Sequence, residues 1–269
     1  MAFLPLALSA AAGALAGSAY LNARLSLDQD LLSFRILGST AFNLVRAVRS
    51  DKLNIFYTLE KHALDKTTAN RPFIVFEGKS YTYVEAYETV LRYGAWLREK
   101  YDVKERDIVA LNYQNSDTFV LLWFAIWSIG AKPAFINYNL HGAALTHCLR
   151  AATAKLAIVD PNVADAITEE VRQELPVMKF VTFTPEVEAE AQGSAPVRYP
   201  DSVRSESDHD AMAMLIYTSG TTGMPKAAVV SWAKVYIAAM ISAKGTRMKR
   251  DDILYTVSLR LQPERGSSA

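Results

Sequence analysis

The sequence predicts an α/β fold: a mostly parallel sheet with flanking helices, preceded by an N-terminal membrane-anchor helix. Two observations predict the sheet and one the anchor. Between Phe73 and Ala243, short apolar runs of strand length alternate with longer segments at helical spacing, and such alternation implies parallel strands covered by helices. The 51% hydrophobic and 21% charged content suits a folded chain with a substantial core and argues against broad disorder. Ahead of this pattern, residues Ala2 to Leu21 carry no charge at all.

That first stretch is about the length a helix needs to cross a bilayer. It is rich in alanine and glycine, so its drive to insert is modest. It lacks the basic start of a secretory signal, although Ala14-Leu-Ala16 has the look of a cleavage site. A membrane anchor, a cleaved signal and a soluble helix therefore all stay open, with length favouring an anchor over 1–21. Arg24 and Arg35 follow it, as suits a cytosolic flank. Gly13 and Gly17 have the GxxxG spacing of paired membrane helices, a match that chance explains in so alanine-rich a segment. Residues 22–55 read as amphipathic: Leu31–Leu37 and Ala41–Val48 alternate apolar residues with arginines, and Gly38 is expected to break them. This segment would lie on a membrane surface or pack on the body.

The α/β pattern occupies 56–255. Phe73–Phe76 and Ser80–Tyr83 read as a hairpin, and Thr82 with Glu85 forms a capping box for a helix to about Lys100. Ile108–Leu111 is a strand, and Ser116 caps an apolar helix over Asp117–Ile129 that Gly130 closes. Strands are predicted at Pro133–Ile136, Leu156–Val159 and Phe180–Phe183, with helices at Ala143–Ala152 and Val163–Glu174. Thr184–Asp210 is polar and contains prolines, so a solvated loop is expected there. Trp232–Ala243 reads as a helix with a core-facing apolar side.

Chemistry concentrates in one loop. Met212–Tyr217 is an apolar run, Ala227–Val230 another, and between them stand Thr218, Ser219, Gly220, Thr221, Thr222, Gly223 and Lys226. Hydroxyls, backbone N–H groups and one cation on a glycine-hinged backbone suit a polyphosphate. Gly220 and Gly223 permit close approach of the main chain, and Pro225 stiffens the exit. A Walker A loop is excluded, because Pro225 precedes Lys226, Ala227 follows it, and a strand comes next. A plain Gly/Ser/Thr hairpin loop is the bland alternative.

The string Tyr217-Thr-Ser-Gly-Thr-Thr-Gly-Met-Pro-Lys226 resembles the AMP-binding signature of adenylate-forming enzymes. Upstream, Trp123–Gly130, Lys132–Gly142 and Leu145–Leu149 are similar to the fatty-acid transport protein branch, also called very-long-chain acyl-CoA synthetases. The resemblance runs from near Leu53 to about Tyr255. It implies an adenylate-forming N-terminal domain using ATP and Mg2+, with coenzyme A as co-substrate and a fatty acid as acyl donor. The fatty carboxylate would attack ATP to give acyl-adenylate and pyrophosphate, and the coenzyme A thiol would then displace AMP. Thr218 to Lys226 would hold the β- and γ-phosphates. The branch also implies a membrane location, at endoplasmic reticulum, peroxisome, lipid droplet or plasma membrane, with the body facing the cytosol and a homo-oligomer permitted.

The resemblance fails after Tyr255, where residues 256–269 form an aberrant polar tail in place of expected sheet core. An incomplete domain is therefore expected, inactive alone, since the family's adenine, ribose and magnesium sites would lie further on. A non-catalytic membrane-associated fragment that binds nucleotide or lipid is the alternative. No catalytic residue and no metal ligand is assigned. His141, His147 and His209 lack metal spacing, with His141 and His147 expected to flank a helix start. The single Cys148 reads as core on a helix face. A net charge of +1 with scattered basic residues predicts no nucleic-acid partner.

Overall fold

In the computed structural model the α/β prediction holds. It describes residues 3–206, 208–218, 224–249 and 251–255, and in the first helix the side chains of 12 and of 15 onward. The predicted tail at 256–269 lies outside the described residues. Helices α1 (Phe3–Leu25) and α2 (Leu27–Arg49) lead in, followed by α3 (Phe56–Leu64) and the antiparallel pair β1 (Pro72–Phe76) and β2 (Lys79–Thr82). Next come α4 (Tyr83–Tyr101), β3 (Ile108–Asn112), α5 (Asp117–Ser128), β4 (Lys132–Ile136), α6 (Gly142–Ala151) and β5 (Leu156–Val159). The chain continues through α7 (Glu169–Glu174), β6 (Lys179–Thr182), α8 (Pro185–Gly193), β7 (Met212–Thr218), β8 (Lys226–Ser231) and α9 (Trp232–Gly245).

The main sheet runs β6-β5-β3-β4-β7-β8. Its first five strands are parallel, and β8 returns antiparallel beside β7. All five parallel strands therefore end at one edge of the sheet. One face buries Trp96, Trp127, Trp232, Tyr93 and Phe56 among helices that include α4 and α5. The other is floored by Ala110, Ala134 and Ala157, which stand in register across three strands and admit Leu145, Cys148 and Leu149 of α6.

Local rules work where the signal is local. The Thr82 hydroxyl accepts from Glu85 N while the Glu85 carboxylate accepts from Thr82 N, so the capping box is complete. The Ser116 hydroxyl caps α5 by accepting from Phe119 N at 3.1 Å. Gly130 closes α5 at φ +78°, and a Cβ there would sit 1.8 Å from the Val203 carbonyl oxygen.

Four expectations are corrected. Gly38 does not break α2: one glycine costs about 1 kcal/mol in a helix interior, and beside it Ser39 accepts a bond from Lys244 of α9 while Thr40 is buried. The predicted helix 163–174 is two pieces, a 3-10 turn at Pro161–Ala166 and α7, because Asp160 and Thr168 each supply a cap of their own. Thr184–Asp210 is not a solvated loop. It contains α8, capped by Thr184, and a 3-10 turn at Asp201–Arg204 with Arg204 buried. The polar residues of α8 are spoken for: Glu188 accepts from the Tyr93 hydroxyl at 2.9 Å and Glu190 from Trp96 Nε1 at 3.3 Å. Finally, α9 buries only Trp232 and Ala233, and its remaining apolar residues are left half-buried or exposed.

Candidate functional site

The candidate site is the mouth of the β7–β8 hairpin. Thr218 and Lys226 are the last register pair of the two strands, and both are exposed. Since β7 is parallel to β4, Thr218 lies at the carboxyl edge of the sheet with Asn112 and Ile136. Open α/β sheets place ligands beyond the carboxyl ends of their strands. Thr218 and Lys226 thus stand opposite each other in register at the base of the loop. Ser219, Gly220, Thr221, Thr222 and Gly223 lie outside the described residues.

Helix α6 ties down both arms of this hairpin. The Tyr217 hydroxyl donates to the Cys148 carbonyl at 2.8 Å, and burial holds the phenol far above its ordinary pKa, so it stays a donor. On the other arm, His147 Nε2 lies 3.1 Å from the Pro225 carbonyl. A carbonyl only accepts, so this contact places the imidazole proton on Nε2. His147 is therefore a tether in the body of α6 and not, as expected, a residue flanking its start; His141 is the residue at the N-cap, without a side-chain bond there. His209 is exposed beside Asp208 and Asp210. Cys148 is fully buried and its thiol pKa is raised by burial, which suits core and not a nucleophile.

Asn112 escaped the sequence reading. It is fully buried at the end of β3, and neither amide atom has a hydrogen-bond partner. Nothing in its sequence context marks it. Two cavities, of about 220 and 310 Å³, lie elsewhere. They are lined by Ile108, Leu156 and Lys179 in one and Lys132 and Met212 in the other, which are the amino ends of strands. Both open on the opposite edge from the loop. Among the described residues no group of three or more His, Cys, Asp or Glu side chains is placed to hold a metal ion.

The profile of the AMP-binding enzyme family matches residues 59–260. The chain belongs to that family. Among its relatives, the very long-chain fatty acid transport protein of Cochliobolus heterostrophus is 32% identical over 254 residues, 91% of this chain and 38% of the relative. The protein of the same name from Saccharomyces cerevisiae is 35% identical over 190 residues, 67% of this chain and 28% of the relative. The chain thus spans under two fifths of the length of either. By structure it is similar to o-succinylbenzoate coenzyme A synthetase from Bacillus subtilis in complex with ATP and magnesium ion. The TM-score is 0.58 at 22% identity, over 72% of this chain and 38% of the other. That likeness is one of fold; the family match at 59–260 covers the sheet and hairpin described above.

Proposed function

We propose that this chain carries the phosphate-holding part of a ligase that activates long or very-long-chain fatty acids through an acyl-adenylate. The observation that carries the reading is the hairpin mouth, with Thr218 opposite Lys226 at the carboxyl edge of the sheet, around Ser219, Gly220, Thr221, Thr222 and Gly223. A carboxylate attacking a phosphoryl group brings two anions together, so fixed donors and a cation must offset the charge. Lys226 supplies the cation, and the hydroxyls of Thr218, Ser219, Thr221 and Thr222 supply donors toward the phosphates that leave as pyrophosphate. The names of the relatives favour a fatty acyl group and a role in its uptake. The structural neighbour crystallised with ATP and magnesium ion favours that nucleotide.

Among the described residues no cluster fits a protein-held magnesium ion. Coenzyme A, as second substrate, has no assigned residue in this chain. The uncharged N-terminal stretch, most of which forms α1 (Phe3–Leu25), acts as the membrane anchor, with the body on the cytosolic side where ATP is found.

A second reading is a non-catalytic membrane-associated fragment that retains nucleotide or lipid contact, the hairpin mouth by itself offering groups for a phosphate. One experiment separates the two and tests the loop. Binding of ATP and fatty-acid-dependent ATP–pyrophosphate exchange are measured on the whole chain and on Lys226→Ala. A charge-assisted bond to phosphate is worth about 1.5–3 kcal/mol, so the variant should bind ATP roughly 10- to 100-fold more weakly. Its melting temperature should not change, because Lys226 is exposed. Exchange supports the ligase, and binding without exchange supports the fragment. Equal ATP affinity in both proteins removes Lys226 from the site.

A further inference from the structure

Helix α2 is built inside out for a helix on a soluble domain. Its outward residues Leu27, Leu31, Phe34, Gly38, Ala41, Phe42 and Val45 recur at the spacing of one helical face and are all exposed, Phe34 at 74% and Phe42 at 70%. The opposite face is the covered one, and it carries Ser39, Thr40 and Asn43 beside Leu32, Ile36 and Ala47. Lys244 Nζ of α9 donates to the Ser39 hydroxyl at 2.6 Å across that contact. The helix thus turns a mixed polar and apolar face toward protein and an apolar stripe about 27 Å long toward the outside.

The neighbouring chain says what covers the stripe. Residue Ser26 takes the left-handed conformation, φ 54°, between α1 and α2. The corner is pinned by Asp28 N donating to Asn22 Oδ1 at 2.8 Å and Asn22 Nδ2 donating to Asp28 Oδ2 at 2.6 Å. On the far side of this elbow stands the uncharged segment 2–21, whose described residues Leu15, Tyr20 and Leu21 are exposed. Arg35 and Arg46 are exposed along one border of the stripe, and Arg49 ends it. Long cationic side chains bordering an apolar face reach headgroup phosphates while the face enters the acyl boundary.

We propose that α2 lies in the plane of a bilayer surface bearing anionic headgroups, with its stripe in the acyl boundary and its inner face gripping α9. Among the described residues α2 is also the helix long and apolar enough to span a membrane. Its polar grip on α9 and its exposed arginines favour the in-plane seat. The proposal goes beyond the ligase reading and stands whether or not the loop binds ATP.

The test attaches an environment-sensitive fluorophore to the whole chain at Phe34→Cys, Phe42→Cys, Gln29→Cys or Ser33→Cys; the native Cys148 is buried and stays unlabelled. With vesicles of phosphatidylcholine and phosphatidylserine, positions 34 and 42 should shift to the blue and be quenched at one equal, shallow depth. Positions 29 and 33 should not shift. Depths that differ between 34 and 42 mean a spanning helix, and a shift that follows chain concentration without lipid means a second copy; either overturns the proposal. Vesicles should also protect Arg35 and Arg46 from trypsin. In Phe34→Glu with Phe42→Glu, an exposed pair whose change spares the core, that protection should be lost while α1 still retains the chain on lipid. Undiminished protection in the variant overturns the seat.

Discussion

Replacing Tyr217 with Phe tests whether α6 holds the β7–β8 hairpin. The structure bounds the cost. The phenol makes one neutral hydrogen bond, to the Cys148 carbonyl, and that carbonyl also accepts from Ala152 N at 3.0 Å. Its loss therefore strands no buried acceptor, and the expected cost is the net value of one bond, about 1 kcal/mol. That free energy is a factor of roughly five in an opening equilibrium. If the bond belongs to the hairpin, the factor appears locally. Hydrogen exchange measured by mass spectrometry should run about fivefold faster in peptides covering 212–218 and 226–231. The central strand β3, with partners on both sides, should keep its rate. Unchanged exchange in the hairpin would refute the tether. Equal acceleration in β3 would refute its local action, because the bond would then belong to the global fold.

Two further expectations concern the body. Gly130→Ala must adopt φ near +78° and drive a Cβ into the Val203 carbonyl, so the left-handed cost of about 1–2 kcal/mol is only part of the penalty. A loss of more than about 3 kcal/mol in urea unfolding is expected, and an unchanged midpoint would contradict the close approach. Glu60 accepts from Arg198 Nε at 2.7 Å, Arg198 Nη2 at 3.1 Å and the Tyr87 hydroxyl at 2.9 Å. Burial pushes its carboxyl pKa up, but Arg198 and Tyr87 outweigh that and leave it below the ordinary value. Its contribution is thus present above the unfolded carboxylate pKa and lost as pH falls through the lower folded one. Glu60→Gln should cost about 1–3 kcal/mol near neutral pH and progressively less in acid, below about pH 4. A gap that stays constant with pH would show that the charge is not what Arg198 recognises.

What the sequence made legible is what neighbouring residues decide among themselves. Thr82 and Glu85 are three residues apart and cap each other, and Ser116 and Gly130 bracket an apolar helix, so those boundaries emerge without tertiary help. The loop signature is likewise contiguous, so Thr218 and Lys226 are legible without their pairing across the hairpin. Helix α8 was hidden because its glutamates look solvated; what holds them is Tyr93, Trp96 and Lys100 on α4, some ninety residues earlier. Contacts of that range leave no local pattern. The same is true of Tyr217 with Cys148, 69 residues apart, and of His147 with Pro225, 78 apart. Asn112 lies inside an otherwise apolar strand, and its buried, unpartnered amide is a property of where β3 ends.

The placement of these tethers follows from how thinly the hairpin joins the sheet. β7 is registered to β8 at six positions but to β4 at Ala134 and Leu215 alone, so main-chain bonds tie the two hairpin strands to each other more than to the domain. Side chains make up the attachment from both faces. From α5, Trp127 Nε1 donates to the Ala213 carbonyl at 2.9 Å, while its ring packs 5.0 Å from that of Trp232 at the start of α9. From α6 on the other face, the Cys148 carbonyl receives Tyr217. The first bond fixes the amino half of β7 and the second its carboxyl end, one step before Thr218. Binding that stabilises charge depends on groups already in place before the charge arrives. The stem of the hairpin is therefore anchored by a tryptophan and a tyrosine on strands and helices outside the loop.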